Sequence, residues 1–131
     1  MQEELERIDA EIARWEARLA AGERLELKAA LEAATDAARG LILAYLGAEG
    51  KKSVPPADAD LLEAFKRLVK GDPSWNAIRD NLRELVYYRN CLAAGRRDAL
   101  PAVPEKMAVR LARHVYLYVR TRCIREGRIA A

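Results

Sequence analysis

Residues 2–21 read QEELERIDAEIARWEARLAA, with Leu5, Ile8, Ile12, Trp15 and Leu19 at alternating spacings of three and four. That period belongs to a helix and not to a strand. It draws an a/d seam with charged residues on the opposite face, and Gly22 stops it. The seam is narrow, which leaves two uses for it. It could be an arm pairing with another chain, so that these five residues form an oligomerisation surface, or the first helix of a single domain. Residues 1–22 are therefore set apart from a bundle spanning 23–131.

The same period continues outward. A second helix is expected from about Arg24 to Leu46, with Leu27, Leu31, Ala34, Ala38, Leu41 and Tyr45 facing inward. Gly40 costs about 1 kcal/mol against Ala in a helix interior, so it points to close packing. Gly47 to Pro56 reads as a loop. A third helix, about Asp58 to Lys70, carries Leu61, Leu62, Phe65, Leu68 and Val69. Gly71-Asp72-Pro73 is a stop and restart, with Asp72 placed to cap the next helix and Pro73 at its first position. That helix runs to about Ala94 behind Trp75, Ile78, Leu82, Leu85 and Val86, and Gly95 closes it. After a loop, Pro104 opens a last helix to about Glu126, with Ala108, Leu111, Ala112, Val115, Tyr118 and Val119 inward. The fold class expected is all-α, an antiparallel bundle of about five helices.

Composition agrees. Of 131 residues 51% are hydrophobic and 33% charged, a folded and not a disordered balance. Charge is unevenly placed: residues 1–70 carry a net −3 and residues 71–131 a net +6. Of the basic residues in that second part all but Lys106 are arginine, the side chain that grips phosphate bidentately and stacks on bases. Cys91 and Cys123 lack C-x-x-C spacing and read as small buried hydrophobes in a reducing cytoplasm. No signal peptide or membrane span stands out, and no membrane partner is expected.

Arg89 lies about 40° from Trp75 on the helical wheel, between Ile78 and Leu82. An arginine in an apolar stripe needs a partner or a ligand. It reads as an anion- or RNA-contacting group in a groove between helices, as a structural ion pair, or as a side chain snorkelling near the helix end. Tyr87-Tyr88-Arg89-Asn90 could stack on and hydrogen-bond a base. On the last helix Lys106, Arg110, Arg113 and Arg120 share one face, a stripe able to track a phosphate backbone. His114, the sole histidine, lies at its edge. No metal site, phosphate loop or nucleophile motif is evident, so no cofactor and no catalytic residue are expected.

The order of features resembles the HEPN family, particularly the HepT-like proteins that partner minimal nucleotidyltransferases. The counterparts are Ala29–Gly47 (AALEAATDAARGLILAYLG), Leu61–Val69 (LLEAFKRLV), Leu82–Gly95 (LRELVYYRNCLAAG) and the helix from Pro104 to Arg122. The resemblance spans roughly residues 25 to 125 and implies a helical bundle, often dimeric, with Arg89 and Asn90 as its carried-over site residues. The family's ribonuclease motif is Arg, then four to six intervening residues, then His. Here those positions hold Ala94, Gly95 and Arg96, while Arg110 and His114 are one residue too close and on another helix. The resemblance therefore implies a non-catalytic domain that binds RNA, a nucleotide or a protein partner. A nucleic-acid-binding helical subunit, similar to the small subunits of CRISPR effector complexes, is a second reading. A pure interaction or oligomerisation module is a third.

Overall fold

In a computed structural model, which describes residues 1–50 and 54–131, the chain forms α1 (Gln2–Ala20), α2 (Leu27–Ala48), α3 (Leu61–Gly71), α4 (Arg79–Ala93) and α5 (Pro104–Arg125). Among the described residues there is no strand. Part of the expected 47–56 loop, Lys51 to Ser53, lies outside the described residues; before it α2 continues to Ala48.

The helix ends follow from local chemistry. Gly22 and Gly95 adopt φ +77° and +70°, which L side chains resist. Each closes its helix by returning two amides to the last turn, as when Glu23 N–H donates to the Arg18 carbonyl at 3.0 Å. Asp60 caps α3 by accepting from the Glu63 amide, so α3 starts three residues later than its Pro-rich approach suggested. Asp72 likewise accepts from the Ser74 amide at 3.0 Å. Beyond it the expected single helix divides: Pro73–Ile78 is a 3₁₀ turn, and α4 proper begins at Arg79. A 3₁₀ turn eclipses residues three apart, which lets Trp75 and Ile78 both point into the core, at 1% and 2% exposure.

α2 is the central element. Its Leu31, Ala38, Leu41 and Ile42 are fully buried, and the other helices gather around it. Burial of each such aliphatic side chain is worth about 1.5–3 kcal/mol. α4 runs antiparallel to α2, since Trp75 meets Tyr45 near one end, with ring centroids 4.7 Å apart, while Leu92 and Leu31 line one groove at the other. The chain turns back along α2 before α3 begins, as the bond from Arg39 Nη1 to the Ala59 carbonyl shows. α3 therefore runs parallel to α2. α5 also runs with α2, joined to its C-terminal end by Tyr45 and Glu126.

α1 packs on α2 and α5 of its own chain. Leu5, Ile8 and Ile12 are buried, and Trp15 and Leu19 are half-buried against the same core. The seam expected as an oligomerisation surface is thus an intramolecular one. The reason lies in α2, whose alanines and Gly40 let α1 approach closely. A Cβ on Gly40 would stand 3.1 Å from Ile8 Cδ1. No helix among the described residues is long and apolar enough to cross a membrane.

Candidate nucleic-acid interface

The arginine that the core takes in is Arg122, not Arg89. Arg122 extends the buried stripe of α5, three residues after Val119 and seven after Val115, and its side chain is 9% exposed. Its guanidinium donates to Asp72 Oδ2 at 2.6 Å, Ser74 Oγ at 2.8 Å and Glu126 Oε2 at 3.1 Å. Its central carbon stands 4.0 Å from the Trp75 ring centroid. Glu126 also accepts from Tyr45 Oη at 2.7 Å and from Arg128 at 2.9 Å. The bonds from Arg122 and Ser74 hold the Asp72 carboxyl at about 2, below its ordinary 3.8. Burial, and then the bond to Glu126, push the Tyr45 phenol up to about 12. Burial alone would raise Glu126, but the donors around it outweigh that and keep it below the usual range. The cluster is a clamp joining the end of α5 to α2 and to the α3–α4 corner, with its donors engaged inside the protein.

Arg113 was expected on the exposed basic face and does not stand free there. It forks onto Glu16 of α1, with Nη2 at 2.8 Å and Nε at 3.1 Å, and donates through Nη1 to Asp9 at 2.6 Å. It also covers the Tyr116 ring at 4.9 Å. Bonds to Glu16 raise its pKa against the opposing effect of burial. Its partners lie on α1, so its removal from the surface follows from α1 docking.

The other expected basic residues stand differently. Lys106 and Arg110 are exposed, Arg120 is half-buried, and none has a hydrogen bond or ion pair among the described residues. The same is true of Arg83, Arg97 and Arg125. Along the outward face of α5 the row continues through exposed His114 and through Leu117, 49% exposed.

Arg89 and Asn90 are exposed and likewise without partners among the described residues, which removes the ion-pair reading of Arg89. Their direction on the helix is the expected one, beside Leu82. What is missing is cover: α3 has 11 residues and so spans about 16 Å. Antiparallel to α4, it starts at Leu61, behind its cap Asp60, and leaves the last turns of α4 open on that side. There Arg89 and Asn90 line a groove of about 540 Å³, open to solvent, with Lys28, Leu31 and Glu32 of α2, Asp60, and Val86, Leu92 and Ala93 of α4. No α5 residue lines it. The expected binding residues therefore divide into an α5 face and an α2–α4 groove. His114 does not reach Arg89's groove, and no cluster of three metal-binding side chains occurs among the described residues.

No protein family, no curated protein and no solved structure matches the chain.

Proposed function

We propose that this chain is a non-catalytic helical domain, HEPN-like in the order of its helices, that binds RNA along the outward face of α5. Lys106, Arg110 and Arg120 are the principal phosphate contacts, with Arg89 and Asn90 as a second contact set in the groove.

One observation carries this reading. Arginines with a role inside the fold, Arg113 and Arg122, are met by carboxylates, whereas the cations of the outer face are not. Their placement costs the free protein something. Lys106 and Arg110 are a like-charged i,i+4 pair, mildly destabilising in a helix. Lys106 also lies in the first turn of a helix without a side-chain cap, where the macrodipole disfavours a cation. A polyanion lying along the face relieves both. Binding and not cleavage is proposed, because the spacing from Arg89 offers no histidine. Two buried free thiols fit a reducing compartment, and the cytoplasm is the location we propose.

The test is anisotropy of a labelled single-stranded RNA pool at 50 and 200 mM salt. Engagement of four phosphates predicts affinity about 50-fold weaker at the higher salt. Absence of binding at 50 mM salt would reduce the face to ordinary solvated surface.

A further inference from the structure

Tyr87 and Tyr88 are neighbours in sequence and opposites in the fold. Tyr88 is 2% exposed, and its hydroxyl donates to Glu84 at 3.0 Å. Tyr87 is 50% exposed, one of four large hydrophobic side chains that stand out on the described surface. Burial explains the first ring and leaves the second unexplained.

Tyr87 is nonetheless held in place. Its hydroxyl donates to the Ala99 carbonyl at 3.2 Å, on the connection between α4 and α5. Tyr88 backs it, with ring centroids 6.3 Å apart and planes inclined by 59°. A ring fixed at its tip and backed on its inner side has already lost the rotamer freedom that binding would otherwise cost. Of its helical neighbours Arg83, four residues before it, and Asn90, three after it, are unengaged on the same side of α4, while Glu84 accepts from Tyr88 and Cys91 is buried. The Ala99 bond also places the ring at the end of the bundle where α5 and its unpaired cations begin.

We infer that Tyr87 is a base-stacking platform, and that the nucleic acid this domain takes is single-stranded. This rests on the RNA-binding reading above and narrows it. A duplex keeps its base faces stacked on one another and presents phosphates and groove edges, so an outward aromatic ring gains nothing from it. An unpaired base offers a free π-face to Tyr87. Asn90 can bond the base edge while Arg83 meets the neighbouring phosphate. The recognised chemistry is an unpaired base on a phosphodiester chain, from RNA or DNA.

The experiment compares labelled oligo(U) RNA, oligo(dT) DNA, an abasic DNA strand of equal length and an RNA duplex, against the wild-type chain, Tyr87→Phe and Tyr87→Leu. Wild type binds the uridine strand more tightly than the duplex, and the thymidine strand about tenfold more tightly than the abasic one. Tyr87→Phe keeps this preference because the ring remains. Tyr87→Leu loses about tenfold on base-bearing strands and nothing on the abasic strand or the duplex. Tighter binding to RNA than to DNA at equal length would identify the natural strand. Equal affinity of wild type for thymidine and abasic strands overturns the inference, even if Tyr87→Leu fails to fold. If those strands still bind with a steep salt dependence, the RNA-binding reading survives; if none binds at 50 mM salt, both fall.

Discussion

Two sets of arginines divide this molecule. Arg113 and Arg122 lie nine residues apart on α5, and each is matched by two carboxylates and an aromatic ring. Arg110, three residues before Arg113, has no partner among the described residues, and neither has Arg89. Composition counts all four alike. The fold separates them by what packs opposite: α1 supplies Asp9 and Glu16 to Arg113, and the α3–α4 corner supplies Asp72 to Arg122, while nothing acidic engages Arg110. Net charge thus does not tell a matched cation from an unmatched one.

The comparison is broken most forcefully at Arg122. Arg122→Ala should cost about 2–3 kcal/mol in urea denaturation, since it removes three hydrogen bonds of a buried guanidinium and uncovers Trp75. A loss below about 0.5 kcal/mol would mean that the clamp is ornamental. Arg113→Ala should cost less, about 1–2 kcal/mol, because the Arg113 side chain is itself more exposed, 18% against 9% for Arg122. Asp72→Asn sharpens the same point through pH. The folded pKa of Asp72 is depressed, so its contribution is present above its ordinary 3.8 and lost as pH falls through about 2. Wild type and variant should differ in urea midpoint at pH 6 and converge as the pH is lowered from 4 to 2. Parallel curves over that range would remove the Asp72–Arg122 pair from the account. The smallest stability effect belongs to Arg110→Ala, within about 0.5 kcal/mol of wild type, with RNA affinity reduced. A stability loss like that of Arg113→Ala would show that Arg110 has a partner in the fold.

The helices were legible in the sequence because their signals are local. Heptad spacing, the glycine stops at Gly22 and Gly95, and the Asp72-Pro73 restart each need only a few neighbouring residues. The inward stripes were legible only in part: Val86 and Tyr118 are half-buried, and Ile42, Tyr88, Val109 and Tyr116 are buried outside the stripes as read. That of α5 was read as stopping at Val119, although Arg122 stands on the same face one turn later. Its partner Asp72 is fifty residues away, and no spacing rule links them. Arg89 was read in its correct direction, but its cover was left open between a groove, an ion pair and a snorkelling side chain, since the wheel carries no information on where a neighbouring helix begins. Arg113 was assigned to the surface for the same reason: its fate depends on α1 folding back, which the seam alone left undecided. The basic face was legible as a shared helix face but not as to which of its cations are matched, and the groove, built from helix ends distant in sequence, was not legible beyond Arg89 and Asn90.

The most direct measurement is the salt dependence of single-stranded RNA binding for Lys106→Ala/Arg110→Ala beside Arg113→Ala. If unmatched cations make the interface, the double variant lowers the log–log slope by about 1.4, at roughly 0.7 per released contact, while Arg113→Ala leaves the slope unchanged and loses only stability. An unchanged slope in the double variant, or an equal fall in Arg113→Ala, would contradict the account.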